Sequence, residues 1–199
     1  MKPLHLIVSI SLLFGVPAAA QEATPKPFSF RSAIVEYKYS GDKTGKSIQY
    51  IDDHGMKNAM YSEITQDGET ARSWVVSYGN YQYMWDPDQP DKGMKMKNPL
   101  LSWLTEASKG DMESFTLSTY EKMGMVMDGT EMFLGKECTV VKGDMGKVLI
   151  WKGIMMLMDL KMGAYVSKQE ATSVKTDMPV DQKYFTIPDN ITFQEMAGF

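Results

Sequence analysis

The stretch Ser73-Trp74-Val75-Val76-Ser77-Tyr78-Gly79-Asn80-Tyr81-Gln82-Tyr83-Met84-Trp85-Asp86 decides the fold. Its Gly79-Asn80 pair predicts a two-residue hairpin turn of the II′ kind, which fixes the register of the strands on either side. Trp74 then faces Trp85, Val76 faces Tyr83, and Tyr78 faces Tyr81. Side chains alternate along a strand, so these six share one face, and Ser77/Gln82 and Val75/Met84 share the other. One wall of the sheet is therefore heavily aromatic. Such rings either stabilise the sheet by pairing across strands or line a cavity, and both readings stay open here.

The pattern extends in both directions. Upstream, Val35 to Tyr39 alternates, Gly41 to Gly45 turns, and Ile48 to Ile51 follows. Asp52-Asp53-His54-Gly55 turns again before a third strand, Met56 to Thr65, which Gln66-Asp67-Gly68 closes. Downstream, Phe115 to Met127 reads as a strand ahead of an Asp128-Gly129 turn. Cys138 to Lys142, Val148 to Trp151, Ile154 to Met162, Ala164 to Lys168 and Glu170 to Thr176 continue the series, and a tail follows. One helix interrupts it: Asn98 is an N-cap, Pro99 fits the first helical position, and Gly110 ends it. Leu100, Leu101, Trp103, Leu104 and Ala107 give that helix an apolar side. This spacing predicts a mostly β (α+β) chain, a meander, sandwich or barrel, and not an alternating α/β fold.

The ends and the composition exclude several classes of function. Lys2, the apolar run Leu4 to Val16 and Ala18-Ala19-Ala20 predict a secretory signal peptide over residues 1–20. The expected mature chain is residues 21–199, one domain, exported to a periplasm, with no later run long enough for a transmembrane helix. It carries 20 basic and 25 acidic side chains and has no basic stripe, so a nucleic-acid partner is not expected. His54 is its one histidine and Cys138 its one cysteine. Few nucleophile and base combinations exist, Cys/His zinc sites lack ligands, and no cofactor or catalytic residue is expected. His54, beside two acids, is either part of a polar turn or of a weak metal site. Cys138, on an alternating strand, reads as a small buried hydrophobe.

Methionine is the anomaly, with 18 in the chain. Met123, Met125 and Met127 are spaced by two, so on a strand they share a face, and Met94/Met96 and Met156/Met158 repeat the spacing. Three readings are open. Methionine fills the core, or its flexible thioethers line an adaptable apolar pocket, or its soft sulfurs bind Cu(I).

Ile150-Trp151-Lys152-Gly153-Ile154, the hydrophobic strand after it and the closing Phe185-Thr186-Ile187-Pro188 resemble the periplasmic lipoprotein-carrier (LolA-like) superfamily and its uncharacterised exported relatives. The Tyr-rich early strands with Asp53-His54-Gly55 are similar to those relatives in particular. The resemblance implies an open, strongly curved antiparallel β-barrel with helices covering an apolar concave face that receives acyl chains. Its departure is the short Pro-containing lead-in, where the carriers have a substantial N-terminal helix. The expectation is thus a non-catalytic binding or carrier protein for a hydrophobic small molecule or acyl chain, with an envelope protein as a further partner. The expected lining is Trp74, Val76, Tyr78, Tyr81, Tyr83 and Trp85, then Met123, Met125, Met127 and Trp151, with Leu100, Trp103 and Leu104 as the lid. A Met-rich Cu(I)-binding protein and a ligand-free envelope structural or interaction protein are the alternatives.

Overall fold

The computed structural model describes residues 26–89, 91–98 and 111–196. The expected signal segment and the helix expected from Pro99, with Leu100, Trp103 and Leu104, lie outside the described residues. The strands are β1 (Ala33–Gly41), β2 (Lys43–Asp52), β3 (Lys57–Gln66), β4 (Glu69–Tyr78), β5 (Tyr81–Trp85) and β6 (Lys92–Lys97). After the helix α1 (Met112–Lys122) come β7 (Val126–Phe133), β8 (Lys136–Gly143), β9 (Gly146–Trp151), β10 (Ile154–Met162), β11 (Tyr165–Thr176) and β12 (Thr192–Glu195). They form one sheet in the order β12-β6-β5-β4-β3-β2-β1-β11-β10-β9-β8-β7. Every pairing is antiparallel except β12 with β6. The sheet is open and curved, with β12 and β7 as its edges.

Short primed turns produce this meander. Asp67 and Gly68 both take positive φ, 53° and 83°, as do Lys152 and Gly153, the I′ geometry that matches the twist of paired strands. At Gly79-Asn80 only the glycine does, with φ 59°, as a II′ turn requires. The hairpin forms in the expected register, Trp74 opposite Trp85, Val76 opposite Tyr83 and Tyr78 opposite Tyr81.

Among the described residues three apolar clusters hold the sheet. In the first, Phe28 and Phe30 of the lead-in pack with Val35, Tyr37, Ile51, Leu149 and Met156. The second joins Tyr50, Ala59 and Val76 to Val180 and Phe185 of the C-terminal segment. The third sets Leu117 and Tyr120 of α1 against Met125, Val141, Val148 and Ile150. Val148, Leu149 and Ile150 are all buried, so β9 is covered on both faces. That is why this stretch reads as a continuous apolar run.

Local expectations fail between residues 112 and 133. Phe115 to Met127 is not a strand: Met112 to Lys122 is helical, and β7 begins only at Val126. Alternation of Phe115, Leu117 and Thr119 imitates a strand, but an N-cap starts a helix there. The Asp111 carboxylate accepts from the Ser114 backbone N–H at 2.6 Å and from its hydroxyl at 3.0 Å. The hydroxyls of Thr116 and Thr119 donate back to the carbonyls of Met112 and Phe115, so their polar groups are met inside the helix. Asp128-Gly129 is not a turn either. It sits within β7 at an irregularity between Met127 and Thr130, and Leu134-Gly135 makes the turn. Ala164 to Lys168 and Glu170 to Thr176 join into one strand, β11.

Candidate functional site

The sheet offers two faces to a ligand, and period-two alternation assigns each residue to one of them. On the first face Trp74 sits among rings. Its centroid lies 5.2 Å from Tyr61, 6.2 Å from Trp85, 6.3 Å from Tyr184 and 6.4 Å from Tyr50. Tyr184 stacks on Tyr50 at 3.8 Å, and Phe193 meets Tyr83 and Trp85 edge-on at 5.1 and 6.2 Å. Burial, with the Tyr184 hydroxyl alongside, pushes the Tyr50 pKa up to about 12. Val76 is wholly buried, whereas Tyr78 is 53% exposed under the Lys57 ammonium. The six residues expected to line a cavity are brought together, and the segment from Val180 to Phe193 packs against Trp74, Val76, Tyr83 and Trp85. Trp85 also borders a pocket of about 380 Å³ near the β12 edge, with Met84, Met94, Arg72 and Lys92.

The opposite face holds a cavity of about 310 Å³ between the sheet and the start of α1. Tyr37 and Tyr39 of β1, Gln49 of β2, Asn58 and Met60 of β3, and Ile154 and Met155 of β10 contribute from the sheet, and Phe28 of the lead-in and Met112 of α1 also line it. The register explains their meeting: Tyr37 lies opposite Ser47, Gln49 opposite Met60, and Tyr39 opposite Gln169. Met60 in turn lies opposite Val75, so Trp74 and Val76 point to the other side.

The polar groups of this cavity form a short chain. The Tyr37 hydroxyl donates to Gln49 Oε1 at 3.3 Å, and Gln49 Nε2 donates to Asn58 Oδ1 at 3.2 Å. The Tyr39 hydroxyl lies 3.1 Å from Ser47 Oγ. Burial drives the pKa of Tyr37 far up, with Tyr39 adding to it, and burial raises Tyr39 against the opposing hydrogen bond from Ser47. Both phenols therefore stay neutral, and among the described residues the lining carries no carboxylate, histidine, lysine or cysteine. Sequence reasoning misses Gln49, Asn58, Met60 and Met112. The available signal is the alternation Val35, Tyr37, Tyr39, which marks the cavity side of β1.

The remaining expected residues scatter. Met123 caps the end of α1 and is 46% exposed, Met125 is buried, and Met127 is exposed at the β7 edge. They share no face, because the helix end and Gly124 separate them. Trp151 packs beside Phe30 at 6.4 Å with Lys136 Nζ 3.9 Å above its ring. The His54 ring nitrogen Nδ1 lies 3.2 Å from the Phe28 carbonyl, and its backbone N–H donates to the Arg31 carbonyl. Its neighbour Asp52 accepts from Gln182, so this turn ties down the lead-in and the C-terminal segment. Among the described residues no group of three His, Cys, Asp or Glu is placed to hold a metal. Cys138 is fully buried, and desolvation raises its thiol pKa.

No protein-family model matches the chain, and no curated protein matches it. Solved structures are similar to it. An uncharacterised conserved protein from Thermus thermophilus superposes with a TM-score of 0.55 at 5% identity, over 84% of this chain and 92% of that one. PNGF-II in a C2 crystal form gives 0.42 at 12% identity, over 83% of this chain but only 31% of PNGF-II. Its P21 form gives 0.40. The first likeness extends to the fold alone, and the other two carry no argument.

Proposed function

We propose that this is a non-catalytic protein of the periplasm that binds or carries a hydrophobic ligand, an acyl chain or a molecule as slender, on the face of the sheet under α1. The observation that carries this reading is the composition of the 310 Å³ cavity: aromatic and methionine walls with one neutral chain of hydroxyl and amide groups. Ligand pockets are apolar concavities with a few placed polar groups, and this volume stands at the small end of their range. Thioethers adapt to the shape of an apolar guest, and neutral phenols and amides can take a carbonyl or hydroxyl head. The open curved sheet with a helix is also the architecture that the resemblance to the lipoprotein carriers implies. The signal-peptide reading of residues 1–20 supplies the compartment.

The test uses the mature protein and a fluorescent fatty acid. One probe should bind per molecule, and Met60→Trp, which fills the cavity, should weaken binding at least about tenfold, or ~1.4 kcal/mol. Trp85→Ala, on the other face, should leave the affinity unchanged. Absence of probe binding in the parent protein, or binding that survives Met60→Trp and fails in Trp85→Ala, refutes this assignment.

A further inference from the structure

Methionine is left only partly explained by the core and the cavity. Met125 and Met156 are fully buried within apolar clusters, but among the described residues Met84, Met94 and Met96 belong to none of the three. Met84 and Met96 are half-buried, and Met94 is 45% exposed. Packing among the described residues does not account for these side chains.

Their placement is specific. Met84 of β5 lies directly opposite Met94 of β6, and Met96 lies opposite Gln82, one diagonal step from Met84. All three occupy one face of two neighbouring strands. Opposite residues in such a pair have Cβ atoms about 5 Å apart, and residues two apart on one strand stand about 7 Å apart. A methionine sulfur sits on a flexible unbranched stem. Three sulfurs so rooted can therefore reach one small ion from the same side, and solvent takes the remaining position. Met84 and Met94 also border the 380 Å³ pocket near the β12 edge, which gives an ion a way in.

We propose that Met84, Met94 and Met96 form a site for a soft monovalent cation, Cu(I). Thioethers are neutral and polarisable, so they select Cu(I) over hard divalent ions that need carboxylate or carbonyl oxygen. Lys92 stands two residues before Met94 on the same face, and its positive charge penalises a divalent ion more than a monovalent one. Asp86, bordering the same pocket, partly offsets it. This site uses none of the side chains of the α1 cavity and stands independently of the ligand proposed there.

The experiment is an anaerobic titration of the protein, labelled at the methionine methyl carbons, with Ag(I) as the redox-stable stand-in and then with Cu(I). The methyl signals of Met84, Met94 and Met96 should shift together and saturate at one ion per chain. The triple variant Met84→Leu/Met94→Leu/Met96→Leu, which keeps volume, should bind at least about a hundredfold more weakly in chelator competition. The control Met123→Leu/Met127→Leu/Met132→Leu removes exposed methionines elsewhere and should bind as the parent does. Shifts spread over the exposed methionines without saturation, or an affinity in the first triple variant within about twofold of the parent, overturn the proposal. The methyl titration needs no variant, so poor folding of the triple variant leaves the test intact.

Discussion

Replacing Trp74 by Ala should cost stability and leave ligand affinity alone. A fully covered tryptophan buries about 150–250 Å², and Trp74 is half-buried, so about 100 Å² of apolar surface returns to water. At ~25 cal/mol per Å² this is about 2.5 kcal/mol. Four rings within 6.4 Å lose a partner, and stacking adds about 0.5–1.5 kcal/mol beyond area. The expected loss is therefore about 3–4 kcal/mol, at the lower end of what tryptophan-to-alanine changes cost. Urea unfolding followed by far-ultraviolet circular dichroism measures it without relying on the deleted fluorophore, and the melting temperature should fall by about 10 °C. Tyr184→Ala should reproduce much of the loss. The two changes together should cost less than their sum, because Trp74 and Tyr184 share one stack. A loss below about 1 kcal/mol, with weakened fatty-acid binding, would refute the packing argument and return the aromatic face to the role of a ligand wall.

Gly55→Ala should destabilise by about 1–3 kcal/mol in thermal unfolding, because φ is +97° and a Cβ would stand 2.5 Å from the Phe28 ring. Alkali should unfold the protein in step with tyrosinate formation. Tyr37, Tyr39, Tyr50 and Tyr120 all have raised folded pKa values, so their contribution is complete below the unfolded value near 10 and is lost as pH rises beyond it. Tyr37→Phe should blunt that alkaline slope in a pH series of melting temperatures. Asp128 has the opposite sign. Lys142 at 2.6 Å lowers its carboxyl pKa, so the small benefit of this exposed pair exists above about pH 3.8 and disappears in acid. The melting difference between the parent and Asp128→Asn should shrink to nothing as pH falls and as salt rises.

Legibility along the chain follows the range of the interactions involved. The Gly79-Asn80 hairpin is readable because a two-residue turn sets its own register from local backbone geometry. The same holds for Val148 to Met162, where Lys152-Gly153 turns one apolar run back on the next. Residues 112–122 mislead because Phe115, Thr116, Thr119 and Tyr120 suit a strand by propensity, whereas the Asp111 cap and contacts of Leu117 and Tyr120 with β8 and β9 favour a helix. β12 reads as part of a tail. Its four residues pair in parallel with β6, a contact that joins positions about a hundred residues apart and leaves no local signature.

Three features are written in the order of the residues. The protein is mostly antiparallel sheet, hairpin-linked strands are neighbours, and Trp74, Val76, Tyr78, Tyr81, Tyr83 and Trp85 share a face. Period-two alternation and primed turns act over a few residues, so local order is enough to set them. What covers each face is settled at longer range, by the folded chain. The C-terminal segment returns to stack Tyr184 on Tyr50 beside Trp74, and the lead-in and α1 leave a cavity on the other side. That choice depends on where residues 26–31 and 178–193 come to rest, and burial against a distant partner is a property of the folded sheet as a whole.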